Sequence, residues 1–215
     1  MPRFTDRADA GRQLADILTD LRDRDDVVVA ALPRGGVVVG AVLAAALGAP
    51  LGVVVVRKIS VPRHPEVAMG ALAVWGEHVE VVRNDDVLAT VRIGEETFSA
   101  SCHRELDEAR RRIEEWRVHR VPVAGRQVVL VDDGAATGAT VRAAVAAVRR
   151  GDPDRVVVAL PVASANARID LGSVADDVRC VLVPHRFGSV GAAYRDFAQV
   201  EDERVGRELA GARSR

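Results

Sequence analysis

Cysteine and aromatic side chains are both scarce. The two cysteines, Cys102 in a charged stretch and Cys180 in an apolar run, form neither a disulfide framework nor a metal-ligand spacing. With Trp 2, Tyr 1 and Phe 4 in 215 residues, large rings cannot dominate the core, so Ala and Val must fill it. Small and β-branched side chains of that kind suit buried parallel strands. Charge of one sign is missing too. Lys plus Arg is 30 against 31 for Asp plus Glu, a net −1, which gives no overall field to hold nucleic acid or an anionic membrane. An anionic ligand would have to be captured locally. No apolar run approaches the ~20 residues of a membrane span. The opening "MPRFTDRADAGRQLADILTD" lacks the apolar centre of a signal peptide. These absences predict a cytoplasmic protein, and the length predicts one domain over 1–215, since single α/β domains run to ~200–250 residues.

Apolar spacing along the chain predicts alternating strands and helices. Leu14, Ile17, Leu18 and Leu21 recur at helical spacing after the start signal Thr5-Asp6. "VVVAAL" (27–32) reads as a buried strand, "PRGG" as a tight loop, and "VVVGAVLAAALG" as a helix ending near Gly48. "LGVVVVRK" reads as a second strand, and "ISVPRHPEVAMG" as a long loop because of its prolines and glycine. "ALAVW" and "VEVV" predict a peripheral hairpin around Gly76. Phe98, Cys102, Leu106, Ala109, Ile113 and Trp116 step by three and four, predicting a long one-sided helix over about 92–120. Its apolar stripe reads as packing or dimer surface. "QVVLV", "RVVVALPV" and "VRCVLV" complete the strands. Uniformly apolar strands between helices predict an α/β fold, a doubly wound and mostly parallel sheet with helices on both faces. Ligands of such sheets bind at the carboxyl ends of the strands, near the point where strand order reverses.

One such strand end carries the chemistry. "VVLVDDGAATGAT" (128–140) runs four apolar residues into Asp132 and Asp133, then into Gly134, Ala135, Ala136, Thr137, Gly138, Ala139 and Thr140. A loop with little side-chain bulk that opens a helix turns several backbone N–H groups toward one small volume, which makes an anion site. The hydroxyls of Thr137 and Thr140 suit phosphate oxygens. Two carboxylates beside a phosphate cradle would repel the phosphate, so they must serve another part of the ligand. Acceptor-only groups match a pair of sugar hydroxyls or a hydrated divalent cation. A ribose phosphate satisfies both halves. The same residues could otherwise form a strand end in solvent, with Asp133 capping the turn.

The stretch resembles the PRPP-binding motif of the type I phosphoribosyltransferases: apolar strand, two acidic residues, a spacer, then Thr-Gly-x-Thr. It differs from a P-loop, which needs Gly-Lys-Ser/Thr, and from a dinucleotide fingerprint, whose acidic residue follows the glycines at a distance. The resemblance covers about 27–183 and implies transfer of the 5-phosphoribosyl group of PRPP to a nitrogenous base, with release of pyrophosphate and with Mg2+ as cofactor. It places the 5-phosphate on 134–140 and the ribose hydroxyls on Asp132 and Asp133, one of which would also lie near the Mg2+. "LPRGG" falls at the family's pyrophosphate loop, so Arg34 would contact pyrophosphate while Gly35 and Gly36 let the backbone approach; a cis or strained non-proline peptide is expected near Arg34 and Gly35. "RKISVPRHPEVAMGALA" falls at the family's flexible loop. There Arg57 and Lys58 either reach pyrophosphate oxygens or form a solvated basic pair, and His64 and Glu66 are candidates for acid or base chemistry. The segment 184–215 corresponds to the hood that selects the nucleophile, with a possible N-terminal contribution. Phe187, Tyr194 and Phe197 in it either stack on a base or pack onto the core.

On this resemblance Arg34, Lys58, Asp132 and Asp133 would carry catalysis, and a homodimer is the expected assembly. Ala136 is a departure: hypoxanthine-guanine enzymes of the family hold an aspartate there, near the purine, whereas adenine enzymes hold an alanine. The accepting base is left open. A competing reading is a regulator that senses PRPP or nucleotides on this fold, although no basic stripe or helix-turn-helix pattern supports a nucleic-acid surface.

Overall fold

The computed structural model describes residues 4–213; Met1–Arg3 and the last two residues of the expected 184–215 hood lie outside the described residues. Five parallel strands form the central sheet: β1 (Val27–Ala31), β2 (Leu51–Val53), β6 (Gln127–Val131), β7 (Arg155–Val162) and β8 (Asp177–Leu182), in the order β2-β1-β6-β7-β8. Pairing is parallel throughout, with Val27 opposite Gln127 and Ala31 opposite Val131 in the β1–β6 ladder. Every residue of β1 and β6 is buried, as expected of a sheet covered on both faces.

Successive residues of each strand feed different cores. Val27, Val29, Ala31, Val129 and Val131 pack with helices α1 (Arg7–Asp16) and α2 (Gly35–Leu47). Val28, Ala30, Val128, Leu130, Val158 and Leu160 pack with α5 (Ala139–Arg149) and α6 (Ala165–Gly172). The doubly wound α/β architecture follows from this alternation. Among the described residues no helix is long and apolar enough to cross a membrane.

Two expectations need correction. "LGVVVVRK" is not one strand: the chain leaves the central sheet at Val54, whose N–H still donates to the Ala31 carbonyl at 2.9 Å, and enters a second, antiparallel sheet. That sheet consists of β3 (Val55–Val61), β4 (His64–Trp75) and β5 (His78–Arg83), so the expected long loop over 59–70 is largely a β-hairpin. Its prolines misled because both stand where a sheet tolerates them. Pro62 lies in the tight turn, beside Arg63 at φ 65°. Pro65 falls in the bulge between the Ser60–Ala68 and Val61–His64 pairs, where no ladder N–H is required. The apolar alternation around Ile59, Val61 and Met69, all buried, outweighed the breakers.

The expected long one-sided helix over 92–120 is α4 (Glu95–Glu115), preceded by a separate short helix, α3 (Asp85–Val91). Arg92 turns left-handed at φ 53° and stops α3, and Arg117 at φ 50° lies just past the end of α4. The stripe Phe98, Cys102, Leu106, Ala109 and Ile113 joins the same core as β3 and β4, so it is packing surface. The C-terminal helix α7 (Asp202–Arg213) packs on α2 and β2, which leaves 184–201 as the part of the tail beside the strand ends.

Phe98 is buried in the core between α4 and the hairpin, its ring 3.3 Å from where a Cβ on Gly70 would stand. Phe98→Ala should lower stability by about 3–5 kcal/mol in a denaturant titration and should weaken hydrogen-exchange protection in β4 more than in β6.

Candidate active site

Strand order reverses between β1 and β6. From β1 the chain moves through α2 to the β2 edge, and from β6 it moves through α5 to β7 and β8. Neighbouring strands that diverge in this way open a crevice at their carboxyl ends. Two loops meet there, Leu32–Gly36 after β1 and Asp132–Gly138 after β6. Leu32 N–H donates to the Val131 carbonyl at 2.9 Å, which joins them at the base. A Cβ on Gly35 would stand 1.9 Å from Asp133 Oδ2, and one on Gly36 would stand 2.8 Å from Asp132 Cα, so no side chain fits between the loops. The Pro33–Arg34 peptide is cis.

The second loop is held from below. Ala135 N–H donates to the Val162 carbonyl at 2.9 Å, Ser164 N–H to the Ala135 carbonyl at 3.0 Å, and Ser164 Oγ to the Ala136 carbonyl at 2.7 Å. Ser164 Oγ also caps α6 by accepting from Ala167 N–H at 3.0 Å, so one hydroxyl ties the loop to the next helix. Ala135 is buried by this stapling, while Ala136, Thr137, Ala139 and Thr140 face outward. Gly138, left-handed at φ 74°, occupies the cap position of α5 and offers no side-chain acceptor to its first turn. Those amides and the positive end of the helix dipole suit an anion.

Asp132 and Asp133 lie between the phosphate-suited loop and the Arg34 loop. Asp132 Oδ1 accepts from Asp133 N–H at 2.8 Å. Burial raises the Asp132 carboxyl well above its ordinary range, and the neighbouring Asp133 charge adds to that. Burial raises Asp133 too, against the opposing hydrogen bond from Arg7, whose Nε lies 2.8 Å from Oδ2. Tyr194 donates its hydroxyl to the Asp133 carbonyl at 2.6 Å, and burial pushes its phenol upward. Acids with raised pKa values between two glycine-built loops make this crevice the candidate site.

The family model described as "Phosphoribosyl transferase domain" matches residues 5–195 of this sequence. The chain belongs to the phosphoribosyl transferase family. Two Mycobacterium tuberculosis proteins are similar to it: "Putative phosphoribosyl transferase MT0597" of strain CDC 1551 / Oshkosh and "Putative phosphoribosyl transferase Rv0571c" of strain ATCC 25618 / H37Rv. Each is 44% identical over 207 residues, which is 95% of this chain and 46% of the relative. The chain thus spans about half the length of the curated relatives it matches. The crystal structure of TT1426 from Thermus thermophilus is similar over 97% of this chain and 98% of that one, at 43% identity and a TM-score of 0.80.

Within this phosphoribosyl transferase fold, Arg34, Gly35, Asp132, Asp133 and the loop 134–140 come together. Arg34 Nη1 lies 3.9 Å from Glu201 Oε2 of the tail, a loose and partly exposed pair. The hairpin residues face elsewhere. Arg57 pairs with Glu105 of α4 at 2.7 Å, and Lys58, on the opposite face of β3, gives its Nζ to the Pro65 carbonyl at 2.7 Å. His64 and Glu66 are exposed near the hairpin tip. Of the tail aromatics, Tyr194 is buried, Phe187 packs against the cluster that contains it, and Phe197 lies beside Tyr194 with Arg7 stacked on its ring. Arg7, Ser164 and Glu201 are site neighbours that sequence spacing did not single out. Arg7 reads locally as one more charge on a helix, since its partner lies 126 positions away.

A carboxyl whose native pKa is raised binds more protons in the folded than in the unfolded chain. Its stability contribution is therefore intact below about pH 4 and is lost as pH rises through the native value. Asp132→Asn removes this loss while keeping an oxygen for the Asp133 N–H. The variant should melt near the parent temperature at acid pH and above it at neutral pH, the gap widening as pH rises from about 4. A constant or shrinking gap in paired melting curves would contradict the raised value.

Proposed function

We propose that the chain transfers the 5-phosphoribosyl group of PRPP to a nitrogenous nucleophile and releases pyrophosphate. The observation that carries this reading is the meeting of two glycine-built loops at the strand-order reversal, with Asp132 and Asp133 between them. The 5-phosphate is assigned to 134–140, where Thr137, Ala139 and Thr140 are exposed at the start of α5. The ribose hydroxyls are assigned to Asp132 and Asp133. Pyrophosphate is assigned to Arg34 and to the backbone at Gly35; Arg57 and Lys58, engaged here by Glu105 and the Pro65 carbonyl, would serve it only with the hairpin turned toward the crevice.

Among the described residues no three His, Cys, Asp or Glu side chains converge as a metal cage. Hard carboxylate oxygen at Asp132, which has no ion-pair partner within 4.0 Å among the described residues, fits a Mg2+ ion held mainly by PRPP oxygens. When bound, Mg2+ supplies positive charge to the leaving pyrophosphate. The chain's own residues do the rest. The loops fix both ends of the phosphoribosyl group, Arg34 neutralises charge on the departing group, and the aspartates orient the ribose beneath a developing oxocarbenium ion.

Ala136 is exposed at the loop and carries no carboxylate for a purine nitrogen, so the accepting base is left to experiment. We further propose a cytoplasmic homodimer as the working form, supported by family resemblance alone. A sedimentation mass near the single-chain 23.0 kDa at assay concentrations would refute the dimer.

With PRPP, Mg2+ and a panel of nitrogenous bases, pyrophosphate should appear with at least one base. Asp132→Asn with Asp133→Asn should weaken PRPP binding at least tenfold, about 1.4 kcal/mol, in a calorimetric titration. Absence of both binding heat and thermal stabilisation with PRPP and Mg2+ would refute the assignment. PRPP binding without any base reacting, together with binding of an RNA or operator fragment, would favour a PRPP-sensing regulator.

A further inference from the structure

Arg7 touches several of the segments that border the site. Its Nε donates to Asp133 Oδ2 at 2.8 Å, its Nη1 donates to the Ala198 carbonyl at 2.9 Å, and its guanidinium carbon lies 3.9 Å from the centre of the Phe197 ring. A Cβ on Gly35 would stand 2.8 Å from the same Nε, so the guanidinium also abuts the loop after β1. Its side chain is only 11% exposed. Three segments far apart in sequence therefore converge on this one planar cation from α1: the loop after β1, the residues just past β6 and the tail before α7.

The N-terminus and the tail are also joined through their backbones. Phe4 N–H donates to the Ala193 carbonyl at 2.9 Å, Arg195 N–H to the Phe4 carbonyl at 2.8 Å, and Asp196 N–H to the Thr5 carbonyl at 2.9 Å. Phe4 and Tyr194 stack with ring centres 5.2 Å apart, and Tyr194 reaches Asp133 through its hydroxyl. Val190 presses on the Gly134 position, where a Cβ would stand 2.6 Å from Cγ1. The result is a small cap of residues 4–7 and 190–198. It holds the Asp133 carboxylate from one side through Arg7 and the Asp133 backbone from the other through Tyr194.

We propose that Arg7 is a positioning residue that aims Asp133 at the ribose and makes the cap rigid with the PRPP loop, so that PRPP occupancy and cap order are coupled. The inference rests on the assignment of Asp133 to PRPP. Arg7 itself need not touch the ligand. With one oxygen held by Arg7, Asp133 keeps Oδ1 for a ribose hydroxyl in a fixed direction, and a neutral side chain at position 7 would leave that carboxylate buried and free to turn. Reciprocity follows from linkage: whatever ordering of the cap improves PRPP binding, PRPP must return as ordering of the cap.

The test combines a double-mutant cycle with hydrogen exchange. Arg7→Gln and Asp133→Asn should each raise the Kd for PRPP with Mg2+ about tenfold, and the double variant should bind about as weakly as the weaker single variant, because the two act as one unit. In the parent, PRPP with Mg2+ should slow exchange at the Phe4, Arg195 and Asp196 amides, and in Arg7→Gln that slowing should be lost. Arg7→Lys keeps the charge but cannot reach Asp133 and Ala198 in a fork, so it should recover part of the PRPP affinity without the full cap protection. It also serves as the folded control if Arg7→Gln proves unstable. Parent-like PRPP affinity in Arg7→Gln, additive losses in the double variant, or cap amides indifferent to PRPP in the parent would each overturn the proposal while leaving the transferase reading intact. If the parent itself fails to bind PRPP, the underlying assignment falls, and this one with it.

Discussion

Everything at the site depends on how closely two backbones approach at the carboxyl ends of β1 and β6. Glycine at 35 and 36 leaves room for the Asp132–Asp133 segment where any side chain would collide. This proximity lets one small crevice hold a phosphate-suited helix start, two acids and an arginine, although the groups come from loops about a hundred residues apart. The parallel sheet makes the proximity durable, since β1 and β6 are paired along their whole length and the Leu32–Val131 hydrogen bond carries that pairing into the loops.

The acids are costly to keep. Both are pushed toward their neutral forms by burial, and no carboxylate is stabilised by standing beside another. Arg7 offsets part of this at Asp133, whereas Asp132 receives only a backbone N–H and the more distant Arg7 charge. A fold made largely of Val and Ala packed without buried unsatisfied side chains among the described residues can carry that local penalty. Stability and chemistry thus occupy different places: the strands supply the first, and the loops spend some of it.

Strand and helix alternation, the doubly wound sheet and the loop 132–140 were legible because each has a local signature, namely uniform apolar runs, a small-residue loop, and acids at a strand end. What was hidden had no local signature. The hairpin over 55–75 was obscured by Pro62 and Pro65, whose tolerance depends on a turn and a bulge that only pairing reveals. The short helix over 85–91 was not foreseen, and it ends on left-handed Arg92, a conformation that its sequence does not advertise. Arg7 could not be singled out among thirty Lys and Arg residues by composition or spacing, because its role is set by partners at 133, 197 and 198.

The peripheral helix α4 adds something that its amphipathic stripe does not suggest. It meets β3 through the Arg57–Glu105 pair, and just past its far end the buried Trp116 donates its indole N–H to Asp202 at 3.2 Å. Asp202 directly follows Glu201, the residue facing Arg34. The antiparallel sheet, α4 and the start of α7 are therefore tied together, and the tie ends one residue from the loose Arg34–Glu201 pair. The tryptophan that looks most like inert packing anchors the start of α7 beside that pair.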